Sequence, residues 1–212
     1  MTVANRLKDQ RIGLHAIIEV EIVRYEQTVS TRWKNGLGEA RQVASWPGNS
    51  EAFEWQISIA QMTGKLPFSE YPGVARSLCI IDGDGLLITS PSRSITLTKD
   101  SDPLHFPGEE KIVGTTTGSV EMVDFNVMTK RGVLEHQTRR LEISRDVQVH
   151  VAKDVLVLFS QKGTLEISCG GTSIEIHERD TAILHGVPGE QYQLSSSAGA
   201  ICLVADIFGC RK

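Results

Sequence analysis

The segment Cys79-Ile80-Ile81-Asp82-Gly83-Asp84-Gly85-Leu86-Leu87-Ile88-Thr89 contains two short apolar strands joined by a glycine-rich turn. It continues through a second turn into residues 94–97 and then into Leu104-His105-Phe106-Pro107-Gly108-Glu109. The same order of parts recurs in residues 155–190, which end in Leu184-His185-Gly186-Val187-Pro188-Gly189-Glu190. Short strands at regular spacing, with no convincing helical period, predict an all-β sandwich or barrel that is built twice.

The two copies are joined by the segment Val123-Asp124-Phe125-Asn126-Val127-Met128-Thr129-Lys130-Arg131. Successive side chains of a strand point to opposite faces, so the apolar Val123, Phe125 and Val127 are expected to share a face that lies in a core. The other face carries Asp124 and Asn126 side by side. This carboxylate and carboxamide could bind one small polar ligand, or they could simply face solvent.

Two further segments place polar groups beside apolar strands. Residues 53–60 alternate as Phe-Glu-Trp-Gln-Ile-Ser-Ile-Ala, so Gln56 and Ser58 line one face of a predicted strand. Residues 66–73 contain two prolines and are predicted to form a loop, after which Arg76 lies where the loop meets a strand. If these strands adjoin the joining segment, Arg76 and Asp124 form either a buried ion pair or part of a polar pocket.

The composition excludes several classes of partner. The chain has 212 residues with a formal charge of −4, which predicts no nucleic-acid partner. No apolar run approaches the roughly 18–20 residues of a membrane span, so no membrane partner is expected. The polar residues 1–11 do not form a secretory signal, and the expected location is therefore the cytoplasm. The four cysteines show no Cys-x-x-Cys spacing, so the sequence predicts neither a disulfide framework nor a zinc site.

Four motifs, taken in chain order, resemble the HutD/Ves family. They are Trp33-Lys34-Asn35-Gly36, Trp55-Gln56-Ile57-Ser58-Ile59-Ala60, Phe68-Ser69-Glu70-Tyr71-Pro72-Gly73 with Arg76, and Asp124-Phe125-Asn126-Val127-Met128-Thr129 with Arg131. The resemblance covers about residues 20–212 and is most specific in residues 32–131. It implies a cupin-like fold and a link, in bacteria, to histidine utilisation or, in the Ves branch, to stress induction.

Together with the duplication, the resemblance implies an all-β, bicupin-like protein whose two β-barrel or jelly-roll halves pack together. The expected divisions are an N-terminal extension of residues 1–17, an N-terminal cupin-like half of residues 18–132 that holds the pocket, and a C-terminal cupin-like half of residues 133–212.

The chain departs from the family pattern at Leu37, Ala40, Gln42 and Gln56. The family usually has an arginine where Gln56 stands, and its loss leaves Arg76 as the expected partner of a ligand carboxylate. The residues predicted to bind ligand are Trp33, Asn35, Gln56, Ser58, Arg76, Asp124 and Asn126. Trp33 is expected to close the pocket, and Asp124 to hold Arg76 or to accept a hydrogen bond from an amide.

No metal or other cofactor is predicted. Metal-binding cupins present a His-x-His pair with a downstream glutamate and a further histidine, whereas the six histidines of this chain are scattered and none forms such a pair. The sequence also contains no Gly-x-Ser-x-Gly nucleophile elbow and no phosphate-binding glycine loop.

The resemblance and the polar strands favour a protein that binds a small polar or carboxylate-bearing metabolite over an enzyme. It would act as a sensor or governor linked to histidine utilisation, with a ligand such as formylglutamate, formiminoglutamate or a urocanate-like compound. The first alternative is a metal-independent hydrolase or isomerase of such a metabolite, with Asp124 or His105 as general base. The second is a protein-interaction module. A homodimer is compatible with the implied fold.

Overall fold

The computed structural model describes residues 5–6, 19–33, 38–48, 52–151, 154–185 and 190–210. These residues form strands almost throughout, with one short 3-10 helix at Tyr25–Gln27. The strands up to residue 130 are β1 (Asn5–Arg6), β2 (Glu19–Val23), β3 (Ser30–Arg32), β4 (Gly38–Trp46), β5 (Trp55–Met62), β6 (Lys65–Pro67), β7 (Val74–Asp82), β8 (Leu86–Ser90), β9 (Arg93–Leu97), β10 (Leu104–Pro107), β11 (Val113–Thr116) and β12 (Met122–Lys130). The later strands are β13 (Leu134–Ile143), β14 (Val147–Val151), β15 (Val155–Lys162), β16 (Leu165–Cys169), β17 (Thr172–Ile176), β18 (Thr181–His185), β19 (Glu190–Ser195) and β20 (Ala200–Gly209).

The chain divides into two compact units. The central unit is Thr28–Glu135, and the terminal unit combines Met1–Gln27 with His136–Lys212. The described ranges contain no helix that is long and apolar enough to cross a bilayer.

The central unit consists of two antiparallel sheets. One has six strands in the order β10-β7-β12-β5-β4-β3, and the other has four in the order β6-β11-β8-β9. Their apolar side chains form one core cluster, which includes Leu78 and Ile80 from the first sheet and Leu86 and Ile88 from the second. Alternation along each strand sends every second side chain into this core.

The terminal unit has the same construction. Its sheets have the orders β1-β2-β18-β15-β20-β13 and β14-β19-β16-β17. Its core cluster includes Leu156, Leu158, Cys202 and Val204 from the six-stranded sheet and Leu194 from the other.

The strand orders confirm the duplication that the sequence predicts. The order β10-β7-β12-β5 in the central unit corresponds to β18-β15-β20-β13 in the terminal unit, and β6-β11-β8-β9 corresponds to β14-β19-β16-β17. Strands β5–β12 therefore repeat as β13–β20. Even an irregularity recurs, because β12 slips in register against β7 between Val123 and Asp124, and β15 slips against β20 between Ser160 and Lys162.

Residues 19–27 belong to the terminal unit, whereas the sequence predicts residues 18–132 together as one half. Strand β2 pairs with β18, with Val23 opposite Thr181 and Glu19 opposite His185. The carboxylate of Asp180 accepts hydrogen bonds from Arg24 Nη1 at 2.6 Å and from the Tyr25 backbone at 3.0 Å. These contacts assign residues 19–27 to the terminal unit, and the later boundary falls between residues 135 and 136. Of the expected extension 1–17, the described residues are Asn5 and Arg6, which pair with β2.

Candidate ligand site in the central unit

Three polar side chains lie in the apolar interior of the central unit. Arg76 stands on β7, and Asp124 and Asn126 stand on the neighbouring β12. In the β7–β12 register Asn126 is opposite Leu78 and Asp124 is opposite Ile80, both core residues. Residues opposite each other point to the same face, so all three polar groups face the core. Arg76, Asn126 and Asp124 are 7%, 4% and 2% exposed, which excludes the alternative that the carboxylate and carboxamide face solvent.

These three side chains form one hydrogen-bonded chain. Arg76 Nη2 donates to Asn126 Oδ1 at 3.0 Å, and Asn126 Nδ2 donates to Asp124 Oδ1. Arg76 Nη1 donates to the backbone oxygen of Ser69 at 3.2 Å. Arg76 Nε is buried and has no hydrogen-bond partner among the residues that the structure describes. The guanidinium therefore retains a buried donor that an added acceptor could satisfy.

Aromatic rings surround the guanidinium. The carbon Cζ of Arg76 lies 4.9 Å from the ring centre of Phe106, 5.4 Å from that of Tyr71 and 5.6 Å from that of Phe68. A Cβ atom at Gly114 would lie 2.7 Å from the Phe68 ring, so the missing side chain at this position makes room for Phe68. Cation–π contacts of this kind favour a charged guanidinium in a place where water cannot hydrate it.

Burial shifts the pKa values of both ionisable groups in this hydrogen-bonded chain, Arg76 and Asp124. Burial lowers the pKa of Arg76, while the charges of Asp124 and Tyr71 act in the opposite direction; the guanidinium remains protonated at neutral pH. Burial also raises the pKa of Asp124 to about 7, because the loss of hydration outweighs the Arg76 charge and the Asn126 hydrogen bond. Within the described residues, Arg76 forms no ion pair with a carboxylate. The alternative of a direct Arg76–Asp124 ion pair is therefore wrong, since Asn126 bridges the two groups.

Of the other predicted ligand residues, Ser58 and Gln56 share this face. Ser58 is buried directly opposite Asn126. Gln56 is partly buried opposite Met128, two residues further along the strand. Trp33 is partly buried against the same core cluster, with its ring over Gly38. Asn35 lies outside the described residues, as does Leu37.

His105, the second candidate general base, lies on the other side of the sheet. It is paired with Ser77, whereas the next residue, Phe106, is paired with Arg76. Its Nδ1 lies 2.6 Å from Ser77 Oγ, and its side chain is exposed. Because adjacent residues of a strand face opposite ways, the structure does not bring His105 and Asp124 into one site.

The sequence interpretation missed the aromatic residues around Arg76. Phe68 and Tyr71 belong to the two-proline loop, and Phe106 belongs to the repeat element Leu104-His105-Phe106. A signal was present in that element, since apolar Leu104 and Phe106 flank His105 and so place the histidine on the opposite face. The pairing of β10 with β7 brings Phe106 to Arg76. The sequence pattern does not predict this pairing.

The terminal unit shows what the same positions hold in the other copy. Arg76 is opposite Met128 in the central unit, and Leu156 is opposite Asp206 in the terminal unit. The shared register slip fixes the alignment of the two copies from these pairs. The residues of the terminal unit that correspond to Arg76, Asp124 and Asn126 are Leu156, Cys202 and Val204. All three belong to the apolar core cluster of the terminal unit. The fold therefore does not itself require polar groups at these positions.

Two observations bear on other kinds of site. In the described ranges no three His, Cys, Asp or Glu side chains come together as a metal could require. In the terminal unit, a surface depression of about 330 Å³ is lined by Gln148, Ser168, Cys169, Gly170, Gly171, Gln191 and Gln193, with no charged side chain.

Solved structures place the chain in a known fold. It aligns with the conserved protein PA5104 of Pseudomonas aeruginosa at 22% identity and a TM-score of 0.84, over 90% of this chain and 99% of that one. It aligns with HutD of Pseudomonas fluorescens SBW25 at 19% identity and a TM-score of 0.76, over 91% and 100%. A cupin 2 conserved barrel domain protein of Leptotrichia buccalis gives 9% identity and a TM-score of 0.55, over 88% and 95%. The fold is therefore all-β and cupin-like.

Sequence comparison identifies the family. The chain is 30% identical to Protein Ves of Citrobacter koseri over 99 residues, which are 47% of this chain and 52% of Ves, so it spans about half the length of that curated relative. The HutD family model matches residues 25–203, a range that contains all four motifs and the buried Arg76–Asn126–Asp124 chain. This protein is a member of the HutD/Ves family.

Proposed function

We propose that this protein binds a small carboxylate-bearing metabolite in the interior of the central unit, with Arg76 as the partner of the carboxylate. The observation that carries the proposal is the difference between the two copies of the fold. Leu156, Cys202 and Val204 fill the terminal unit where the central unit has Arg76, Asp124 and Asn126. Because burying polar and charged groups costs free energy that apolar packing avoids, a purpose other than folding accounts for them.

The charge of the site supports an anionic ligand. The guanidinium is buried, and it makes its hydrogen bonds to neutral oxygens, those of Ser69 and Asn126. A ligand carboxylate would supply the missing negative charge and an acceptor for Arg76 Nε. Charge-assisted hydrogen bonds between a guanidinium and a carboxylate are among the stronger polar contacts in proteins.

The family resemblance narrows the candidates. It suggests a cytoplasmic sensor or governor of histidine utilisation whose ligand is formylglutamate, formiminoglutamate or a urocanate-like compound. All of these carry a carboxylate. The related HutD of Pseudomonas fluorescens was solved in a formate condition, and formate is the smallest compound that offers the same group.

The test is a thermal-shift panel on the metal-stripped protein with urocanate, formiminoglutamate, formylglutamate, glutamate, histidine and formate. A ligand present at ~100 times its dissociation constant adds roughly 2.7 kcal/mol, which raises Tm by several degrees for a chain of this size. We expect a shift with at least one carboxylate, lost in Arg76→Ala and weakened in Arg76→Lys, which keeps the charge but loses the fork of N–H donors.

The matched control is Arg93→Ala. Arg93 belongs to the other sheet of the same unit and pairs with Glu110, so its removal should leave the ligand-induced shift unchanged. Absence of a shift with every compound contradicts the proposal, as does a shift that Arg76→Ala and Arg93→Ala reduce equally.

A second candidate function, catalysis by Asp124, is favoured by one observation. The pKa of this carboxyl is raised to about 7, which suits a general acid or base at neutral pH. A hydrolase or isomerase should convert the compound that gives the thermal shift, and Asp124→Asn should abolish turnover while ligand binding persists. Binding without turnover by the wild-type protein excludes this candidate.

A further inference from the structure

Among the described groups that line the central interior, the Asp124 carboxyl has one charged neighbour, Arg76. On β7 the facing residues are Arg76, Leu78 and Ile80, and on β5 they are Ser58, Ala60 and Met62. The four-stranded sheet contributes apolar residues such as Leu66, Leu86, Ile88 and Leu97. Tyr71 touches the guanidinium. Asp82 and Glu121 lie at the strand ends, where they accept hydrogen bonds from the Gly83 backbone and from Gln61.

The net charge of this interior therefore depends on Asp124. With the carboxyl protonated, the interior carries the single positive charge of Arg76. With the carboxyl ionised, the two charges cancel. A bound carboxylate next to an ionised Asp124 would place two negative charges beside one guanidinium in a medium that hydrates neither, and like charges at such short range disfavour joint ionisation.

We propose that Asp124 sets the charge of the ligand: the interior binds a carboxylate together with one proton, which the Asp124 carboxyl holds. This inference rests on the proposed function and adds a selectivity to it. Asn126 allows the protonation without rearrangement, because its Nδ2 donates to Asp124 Oδ1, and that oxygen accepts a hydrogen bond in either state while Oδ2 carries the proton. Asn126 Oδ1 keeps its bond from Arg76 Nη2 throughout.

The sign of the pH dependence follows from the proton balance. At a pH where Asp124 is already protonated in the free protein, binding takes up no proton and the affinity is constant. In the ligand-free protein the pKa of Asp124 is about 7. Above this pH, the protein must take up one proton for each ligand that it binds. The dissociation constant then rises about tenfold per pH unit, until the carboxyl of the complex itself ionises.

The experiment uses formate as the probe, because it has no ionisable group that titrates between pH 6 and 9. Chemical shifts of the labelled full-length protein give the dissociation constant at each pH, and a second titration follows the side-chain carboxyl signal of Asp124. In the wild-type protein we expect a constant Kd near pH 6, a rise approaching tenfold per unit above pH 7, and a higher Asp124 pKa in the presence of formate.

Two variants complete the test. Asp124→Asn is neutral at every pH, so its Kd should not vary with pH and should stay low at pH 9. Glu110→Gln changes a carboxylate bonded to Arg93 and should keep the wild-type profile.

The outcomes separate the two proposals. Formate binding that Arg76→Ala abolishes, but with a Kd that stays constant from pH 6 to 9, overturns the role of Asp124 and leaves the carboxylate site standing. The same pH profile in Asp124→Asn as in the wild type also overturns it. Absence of formate-induced shifts around Arg76 at every pH overturns both the site and its selectivity.

Discussion

The central and terminal units share strand order, register slip and two-sheet construction, but they differ in what fills the space between the sheets. In the terminal unit Leu156, Cys202 and Val204 continue the apolar packing. In the central unit Arg76, Asn126 and Asp124 form a hydrogen-bonded chain at the corresponding positions. One cupin-like framework therefore accommodates both interiors, so the backbone arrangement and the side chains between the sheets can be varied separately.

The largest expected effect on the free energy of unfolding comes from placing a carboxyl like that of Asp124 at the corresponding position of the terminal unit. Cys202 is fully buried and is the counterpart of Asp124. Cys202→Asp introduces a buried carboxyl into a unit that has Leu156 at the position of Arg76. The nearby Arg139 is already bonded to Asp206. We expect a loss of unfolding free energy on the order of 4 kcal/mol at pH 8, since a buried carboxyl of this kind shifts its pKa by about three units.

The sign of this effect depends on pH. The pKa of the introduced carboxyl is raised in the folded protein, so the cost is absent below the unfolded pKa of about 3.9 and grows as pH rises toward the folded value. Urea denaturation at pH 5 and pH 8 should show a clearly smaller loss at pH 5. Cys202→Ala, which removes the thiol without adding charge, should cost the same at both. Equal losses for Cys202→Asp at the two pH values would contradict the interpretation.

The converse exchange should have a moderate effect of opposite sign. The triple variant Arg76→Leu, Asn126→Val and Asp124→Cys gives the central unit the residues of the terminal unit. Replacing a buried polar network by apolar residues is often neutral or stabilising by about 1–4 kcal/mol. We therefore expect an unfolding free energy equal to or above that of the wild type, measured in urea, together with complete loss of carboxylate binding.

The single variant Arg76→Leu is the control for the triple exchange. It leaves Asp124 without its cation and Asn126 without its donor, so it should be less stable than the triple variant. A triple variant that loses several kcal/mol would show that the polar chain supports the fold, and the contrast between the two units would then lose its functional meaning.

The smallest expected effect concerns the space that Gly114 leaves for Phe68. The register of β11 against β8 and of β19 against β16 places Leu194 at the corresponding position of the terminal unit. In Gly114→Ala the new Cβ would lie 2.7 Å from the Phe68 ring and 3.2 Å from Leu86. Such overpacking costs about 1–3 kcal/mol and should weaken formate binding by displacing a ring that contacts Arg76.

The comparison for Gly114→Ala is Thr115→Ala, which changes the next, partly exposed residue of the same strand. It should alter the unfolding free energy by no more than about 0.5 kcal/mol and leave formate binding unchanged. Equal behaviour of the two variants would show that the Phe68 ring adapts without effect on the site.

Much of this arrangement could be predicted from the sequence because it follows from local alternation. The repeat of short strands and Gly turns predicts the duplicated all-β fold. The alternation in residues 123–128 places Asp124 and Asn126 on one face, and the same parity on β5 places Ser58 there. Since β5 and β12 are neighbours, Ser58 comes to lie opposite Asn126.

The remainder depends on pairings between distant strands, which alternation does not encode. The contact of Phe106 with Arg76 follows from the pairing of β10 with β7, and the bridge through Asn126 follows from the exact register of β7 against β12. A one-residue slip would send Arg76 to the other face. The assignment of residues 19–27 to the terminal unit likewise depends on the pairing of β2 with a strand some 160 residues later in the chain.

That pairing has a consequence for biosynthesis. Strand β2 ends at Val23, whereas its partner β18 begins only at Thr181 and is therefore synthesised much later. The central unit, by contrast, is one continuous segment, Thr28–Glu135. Since domains generally fold as units during synthesis and distant pairings form slowly, the central unit can complete its fold on a nascent chain. The terminal unit must keep β2 unpaired until β18 has been synthesised.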